Sequence, residues 1–197
     1  MNPNSHQPKA AQPDAVRIHR FLPGSRANGP GLRAVVWVQG CALGCPGCFN
    51  PESHAFDAGE VLPVADLAAR ILAVKEPIEG ITLSGGEPFH QHRALTRVLS
   101  EVRAHKDLSV LVFSGFSLEE IRRQKADDLL AHIDVLIAGR YQAAERVATG
   151  LIGSSNKVVH FLTPRYTPAD LANVPEAEVI LSPDGEILLS GIDPLTW

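Results

Sequence analysis

All three cysteines of this chain lie within eight residues, at Cys41, Cys45 and Cys48. Thiolates hold iron–sulfur clusters, a 4Fe-4S cluster normally takes four of them, and short Cys-x2-Cys spacings allow one loop to bind several corners. Because this chain can supply only three thiolates, one iron would keep an open coordination position, which is where metal centres carry out chemistry. The spacing therefore predicts a reactive iron–sulfur site.

Two other interpretations of the cysteines stay open on spacing alone. A structural zinc site would need a fourth ligand, such as His54, and three unrelated free thiols are the remaining alternative. A disulfide framework is disfavoured, because the cysteine count is odd and we expect a reducing compartment. Gly40, Gly44 and Gly47 lie beside or between the cysteines, where glycine allows the backbone to turn sharply and to approach inorganic sulfide.

The composition indicates one globular domain and argues against two classes of partner. With 197 residues, 45% of them hydrophobic, the chain is long enough for one core. A net charge of −4 provides no basic surface for nucleic acid, and no stretch approaches the roughly 18 apolar residues of a membrane-spanning helix. We expect a polar flexible tail at residues 1–14, a single domain at 15–197 and, because no targeting segment is visible, a cytoplasmic location.

Short β-branched segments alternate with helical patterns, which is typical of βαβ units and a largely parallel sheet. Apolar residues at helical spacing predict helices over 64–72 and 95–102, and a capping box at Ser117 and Glu120 predicts the start of a third helix. Strands are predicted at 16–21, 34–38, 80–84, 108–113, 133–138 and 157–162, with a polar loop at 139–156. The cysteines follow the strand at 34–38, so we expect them in the loop at its carboxyl end.

These motifs resemble those of the radical S-adenosylmethionine (SAM) superfamily. Cys-x3-Cys-x2-Cys after a first strand is its signature, and ITLSGGEPF at residues 81–89 resembles its Gly-Gly-Glu-Pro motif. Segments similar to activating enzymes of glycyl-radical proteins, and in particular to anaerobic ribonucleotide reductase activating proteins, lie at 28–41, 45–53, 133–141 and 153–157. The resemblance covers roughly residues 15–162.

The resemblance implies a fold and a set of site residues. The fold would be α/β, a partial open (β/α)6-type radical SAM barrel of about six parallel strands with the cluster at their carboxyl ends. A Ser-Pro-Asp-Gly turn at 182–185 predicts a C-terminal β-hairpin extension. Cys41, Cys45 and Cys48 would bind the 4Fe-4S cluster and carry the catalysis. The expected SAM-binding residues are Gly47, Phe49, Ser84, Gly85, Gly86, Glu87 and Arg140.

Two positions depart from the family's pattern. Gly47 stands where most members have an aromatic residue before the third cysteine, so we expect adenine contacts from the backbone or from Phe49. Ala138 stands where activating enzymes often have Asp, and Arg140 is the nearest charged candidate to reach the SAM carboxylate or ribose. A solvated loop arginine is the alternative for Arg140. For His90, which follows the Gly-Gly-Glu-Pro motif, an exposed loop histidine is the preferred interpretation.

The implied activity is that of a radical SAM oxidoreductase. A reduced cluster cleaves SAM to methionine and a 5′-deoxyadenosyl radical, which takes hydrogen from a substrate. Because this step needs a low potential, an electron donor such as flavodoxin or ferredoxin is implied.

The first hypothesis for the substrate is a backbone glycine of a glycyl-radical protein such as anaerobic ribonucleotide reductase. No additional cysteines exist for auxiliary clusters, and a short chain leaves the site open to a large partner. One alternative is a stand-alone radical SAM enzyme that acts on a small molecule or peptide. The other is a non-catalytic metal-binding interaction module.

Overall fold

The structure, a computed structural model, describes residues 14–181 and 185–192. Residues 1–13 of the predicted tail and 182–184 of the predicted turn therefore lie outside the described residues. The strands are β1 (Ala15–Ser25), β2 (Arg33–Val38), β3 (Glu60–Pro63), β4 (Gly80–Gly85), β5 (Ser109–Ser114), β6 (Val135–Ala138), β7 (Arg146–Thr149), β8 (Ile152–Ser154), β9 (Val158–Phe161), β10 (Ala177–Leu181) and β11 (Ile187–Gly191). The helices are α1 (Val64–Leu72), α2 (His92–Arg103), α3 (Leu118–Arg123), α4 (Asp127–Leu130) and α5 (Pro168–Ala172).

A seven-stranded mixed sheet organises the molecule, with the strand order β3-β1-β2-β4-β5-β6-β9. The four central strands β2, β4, β5 and β6 are parallel, whereas β1, β3 and β9 are antiparallel to their neighbours. The α/β class is confirmed, but the prediction of about six parallel strands was wrong. A parallel connection needs a crossover, usually a helix. The segment between β6 and β9 forms the β7–β8 hairpin instead, so β9 returns antiparallel.

Helices cover one face of the sheet and form the larger apolar core. The central strands are apolar along most of their length, as expected where both faces are covered. α2 buries Leu95, Leu99 and Val102 at helical spacing, and α1 packs beside it. α3 begins at the predicted capping box, in which the Glu120 amide donates to Ser117 Oγ at 3.2 Å and the Ser117 amide donates to Glu120 Oε2 at 2.8 Å.

The other face of the sheet is covered by the carboxyl-terminal part of the chain. Leu111, Val135 and Ile137 form a second apolar cluster with Leu151 and Leu171. The antiparallel pair β10–β11 follows as a separate two-stranded sheet. None of the helices in the described part of the chain has the length and apolar character needed to span a membrane.

The sequence patterns did not predict several short elements. β7 and β8 lie inside the predicted polar loop, and β3, α4 and α5 were not predicted. Each has five or fewer residues, which is too short for a period of 2 or 3.6 residues to be recognised. Their positions depend on pairing and packing partners elsewhere in the chain.

Candidate functional site

The cysteine loop, which we define as residues 39–54, leaves the carboxyl end of β2. Two backbone hydrogen bonds close its base: the Gly40 amide donates to the Ser53 carbonyl at 2.8 Å, and the Cys41 amide to the His54 carbonyl at 3.0 Å. Gly40 has a φ of 104°, and a Cβ there would lie 2.7 Å from the Phe56 ring. Glycine is therefore required at the point where the chain turns out of the strand.

The end of β4 lies directly beside this base. The Gly86 amide donates to the Val38 carbonyl at 2.8 Å and the Glu87 amide to the Gly40 carbonyl at 3.0 Å. A Cβ on Gly86 would lie 2.5 Å from that same Gly40 oxygen. The Gly-Gly sequence thus permits two strand ends to approach at backbone contact distance, which brings the Gly-Gly-Glu-Pro motif to the cysteine loop.

The three cysteines and the predicted strand-end residues line one cavity of about 330 Å³. Cys41, Cys45 and Cys48 are free thiols and half-buried. The cavity is also lined by Phe49, Ser84, Gly85, Gly86 and Glu87, all named from the sequence as SAM-binding candidates. The structure therefore brings most of the predicted site together at the carboxyl ends of parallel strands, where ligands of α/β folds bind.

The arrangement of the thiols fits a cluster better than a single ion. A zinc ion requires ligands that converge within about 2.3 Å of one point. Among residues 14–181 and 185–192, no three His, Cys, Asp or Glu side chains are so placed. A 4Fe-4S cluster binds each cysteine at a different iron, so three thiols around a cavity suit it.

The charge balance of the cavity also favours a bound cation centre. Burial raises the pKa of the Cys41 thiol, and Glu87 and the other two cysteines raise it further. Neighbouring negative charges disfavour the Cys41 thiolate, and a bound metal centre would supply the positive charge with which the thiols release their protons. The donor set therefore fits the iron–sulfur centre that the spacing predicts.

Glu87 joins the ends of β4 and β5. Its Oε1 accepts hydrogen bonds from the Phe89 amide (3.0 Å) and Ser114 Oγ (2.9 Å), and its Oε2 accepts one from the Gly115 amide (2.8 Å). Complete burial raises the pKa of Glu87 to about 7, although these three hydrogen bonds favour the carboxylate. The side chain is thus an internal connection of the site as well as a residue of the cavity lining.

An aromatic group stands beside Gly47, although the sequence places none before the third cysteine. The Phe49 and Tyr141 rings lie 4.6 Å apart, and the Arg146 guanidinium lies 5.0 Å from the centre of the Phe49 ring. A Cβ on Gly47 would lie 3.7 Å from the Tyr141 ring. Tyr141 is a cavity residue that the sequence analysis missed; its place in the segment resembling reductase activators was the available signal.

The two basic residues near the end of β6 have different surroundings. Arg140 Nη1 donates to Glu120 Oε2 at 2.8 Å, and its guanidinium lies over the Phe116 ring. The Arg140 side chain therefore binds Glu120 in this structure. Lys157 lines the cavity and donates to the Gly139 carbonyl. Burial lowers the pKa of Lys157, whereas Cys45 and Glu87 raise it. Lys157 is thus a cavity cation that the sequence did not single out.

His90 supports the cysteine loop, in contrast to the exposed loop histidine that the sequence favoured. Its Nε2 accepts a hydrogen bond from the Ala42 amide at 3.3 Å, and its ring lies between Phe56 and Phe116. Burial lowers the pKa of His90. The neutral ring can act as the acceptor that this contact requires.

Comparisons with known proteins show which proteins this chain is similar to. Residues 27–160 match the family described as 4Fe-4S single cluster domain. Three relatives carry the name anaerobic ribonucleoside-triphosphate reductase-activating protein. The chain is 30% identical to the protein of Salmonella typhimurium over 155 residues, which are 75% of this chain and 99% of that protein. It is 32% identical to the protein of Haemophilus influenzae over 149 residues, which are 72% of this chain and 95% of that protein. It is 34% identical to the protein of Pasteurella multocida over 159 residues, which are 73% of this chain and 96% of that protein. A solved structure titled QueE from Escherichia coli shows a partial likeness, with a TM-score of 0.43 and 15% identity over 51% of this chain and 53% of that one.

Proposed function

The chain belongs to the 4Fe-4S single cluster domain family and to the anaerobic ribonucleoside-triphosphate reductase-activating proteins, and we propose that it generates a glycyl radical on an anaerobic ribonucleotide reductase. It is a radical SAM enzyme that uses a 4Fe-4S cluster and SAM. The observation that carries the proposal is the single cavity shared by three cysteines and the Gly-Gly strand end. A partner glycine must reach this cavity.

The residues of the cavity divide into two groups. Cys41, Cys45 and Cys48 would hold three irons of the cluster. Ser84, Gly85, Gly86 and Glu87 would hold SAM from the end of β4, and Gly47 and Phe49 would contact it beside Tyr141. When bound, the cluster and SAM supply a one-electron reductive cleavage, which takes one external electron and one hydrogen atom from the substrate and yields methionine, 5′-deoxyadenosine and a substrate radical.

The basic residues have separate roles in this scheme. Lys157 would bind the SAM carboxylate, because it lines the cavity and its charge interacts with Cys45 and Glu87 there. Arg140 would fix the end of β6 through Glu120 and Phe116. His90 would hold the cysteine loop in place through the Ala42 amide.

The setting of the reaction is also part of the proposal. Three free thiols require a reducing compartment, so we place the protein in the cytoplasm. The external electron would come from a low-potential donor such as flavodoxin or ferredoxin. The mixed sheet would serve as the partial barrel of a radical SAM enzyme, with four parallel strands presenting their carboxyl ends to the cofactors.

An anaerobic assay tests the proposal. The protein is reconstituted with iron and sulfide, reduced and mixed with SAM and the anaerobic ribonucleotide reductase of the same organism. We expect 5′-deoxyadenosine and a glycyl doublet in the electron paramagnetic resonance spectrum of the reductase, and both should be lost in Cys45→Ala.

Two outcomes would contradict it. 5′-Deoxyadenosine without a doublet would favour a stand-alone enzyme acting on a small molecule or peptide. One bound zinc and no sulfide would favour a metal-binding interaction module.

A further inference from the structure

The C-terminal ribbon, which we define as β10 and β11, forms a wall of the cavity that holds the cysteines. Leu188 and Ser190 of β11 lie in the cavity lining together with the cysteine loop. The ribbon lies outside residues 27–160, which match the 4Fe-4S family. This wall is therefore an addition to the part of the chain that explains cofactor binding.

Side chains attach the ribbon to the loop between β1 and β2. Asn28 Nδ2 donates to Ser190 Oγ at 2.7 Å, in a contact that is buried on both sides. The Glu178 carboxylate accepts from Ser25 Oγ and, at 2.9 Å, from the Arg26 amide. These contacts join both strands of the ribbon to the end of β1 and the loop that follows it, so the ribbon has a defined position over the cavity.

The pairing register shows which face of the ribbon is turned to the cavity. Directly paired residues of an antiparallel ribbon share a face. Glu178 pairs with Ser190 and Ile180 with Leu188, and the first pair makes the contacts to the β1–β2 loop. Leu188 therefore lies on the inner face. The outer face carries Leu181, which is 71% exposed.

We propose that the ribbon selects the substrate, with Leu188 contacting an extended peptide segment that carries the reactive glycine. The inference rests on the proposed function. The cavity of about 330 Å³ lies at the low end of ligand pockets, which span roughly 300 to 1,000 Å³. Leu188 is an apolar residue of the cavity wall and favours an uncharged segment, and a cavity of this size leaves little room for a bulky side chain.

Matched alanine variants on the two faces of the ribbon test this role. Leu188→Ala should raise the KM for the reductase about tenfold and change kcat by less than twofold, because a substrate contact is lost while the cofactor residues are untouched. Leu181→Ala removes the same atoms from the outer face and should change neither value by more than twofold. Thermal unfolding of both variants shows whether each is folded.

Peptide competition tests selection directly. A peptide copying the glycine segment of the reductase should inhibit radical formation by the wild-type enzyme. The same peptide with phenylalanine in place of glycine should inhibit at least tenfold more weakly. In Leu188→Ala the two peptides should differ in inhibition by less than threefold, because the wall no longer excludes the larger side chain.

Hydrogen exchange gives a readout that does not depend on turnover. Adding the reductase to the cluster-loaded enzyme with SAM should slow amide exchange in residues 186–192. Equal kinetic behaviour of the two alanine variants, or unchanged exchange in the ribbon, would overturn the inference and leave the proposed function intact. No glycyl doublet with the wild-type enzyme, despite 5′-deoxyadenosine formation, would overturn both.

Discussion

Two sides of one cavity are built in different ways. On the cysteine side, backbone hydrogen bonds join the strand ends: Gly40 to Ser53, Cys41 to His54, Gly86 to Val38 and Glu87 to Gly40. On the ribbon side, side chains make the connection, through Asn28 with Ser190 and Glu178 with Ser25. Backbone contacts hold the cysteine side of the cavity, whereas the ribbon depends on a few side-chain contacts, so we expect the ribbon to open more easily than the strand ends.

The largest effect should come from adding a side-chain atom at Gly86, where the backbones of two strand ends are in contact on the cysteine side. In Gly86→Ala, the new Cβ would lie 2.5 Å from the Gly40 oxygen, so the two strand ends must separate. We expect a loss of about 3 kcal/mol in the free energy of unfolding, as for other overpacked sites, and failure to retain the cluster. Denaturant unfolding of the apoprotein and iron content measure the two effects.

Gly44→Ala is the control for this variant. Gly44 has a φ of 60°, and no atom lies within 4 Å of the position that a Cβ would take, so only the backbone conformation opposes the substitution. A cost of about 1 kcal/mol is expected. Equal losses for the two variants would mean that contact between the strand ends is not what makes glycine necessary at Gly86.

The second prediction concerns the pH dependence of the apoprotein. The pKa of Glu87 is raised to about 7 when folded, so between pH 4.5 and 7 the unfolded carboxyl ionises first and binds fewer protons than the folded one. The contribution of Glu87 to stability should therefore fall as pH rises through this window, by up to about 3 kcal/mol, and stay level above it, whereas the histidines whose pKa burial lowers, such as His90, act in the opposite direction in both proteins. The fall should be absent from Glu87→Gln. Urea unfolding from pH 4.5 to 8 measures this, and identical slopes for wild type and variant would contradict it.

The contrast between backbone and side-chain contacts also explains what the sequence could predict. The cysteine spacing and the Gly-Gly-Glu-Pro motif lie in short continuous segments, because local backbone geometry demands those residue types. The contacts of the ribbon join residues 153 and 162 positions apart, and a serine or an asparagine has no local signature of such a partner. The position of β9 was predicted but its direction was not, for a related reason: the direction depends on the short β7–β8 hairpin inside a polar segment.

The choice of the cavity cation, Arg140 or Lys157, also could not be made from the sequence. Arg140 lies two residues after β6 and was the natural candidate, but its guanidinium contacts Glu120, whose pKa falls to about 2 through that hydrogen bond. Lys157 reaches the cavity because it directly precedes β9, which pairs antiparallel with β6. Sequence order alone does not show which of two basic residues faces the site.

The third prediction compares these two cations. Lys157→Ala should weaken SAM binding to the cluster-loaded protein about tenfold, because an ammonium group is removed from the cavity. Arg140→Ala should change SAM affinity by less than threefold, because the side chain that it removes contacts Glu120. Isothermal titration calorimetry measures both affinities, and a larger effect for Arg140→Ala would restore the original assignment of the SAM-binding cation.

The smallest effect is expected on the ribbon side, from Ser190→Ala. The variant removes one buried hydrogen bond to Asn28 Nδ2, which keeps its 2.7 Å contact with Ser25 Oγ, so a local cost of about 1 kcal/mol follows. Amide exchange in residues 187–192 should become about fivefold faster, while exchange in β2 and β4 stays unchanged, because local opening of the ribbon does not require the sheet to open.

Ser155→Ala, which loses an exposed contact to Glu145, is the control and should leave the ribbon unaffected. Faster exchange throughout the sheet would show that the ribbon and the cysteine side open as one unit, and the contrast between the two sides of the cavity would then be wrong.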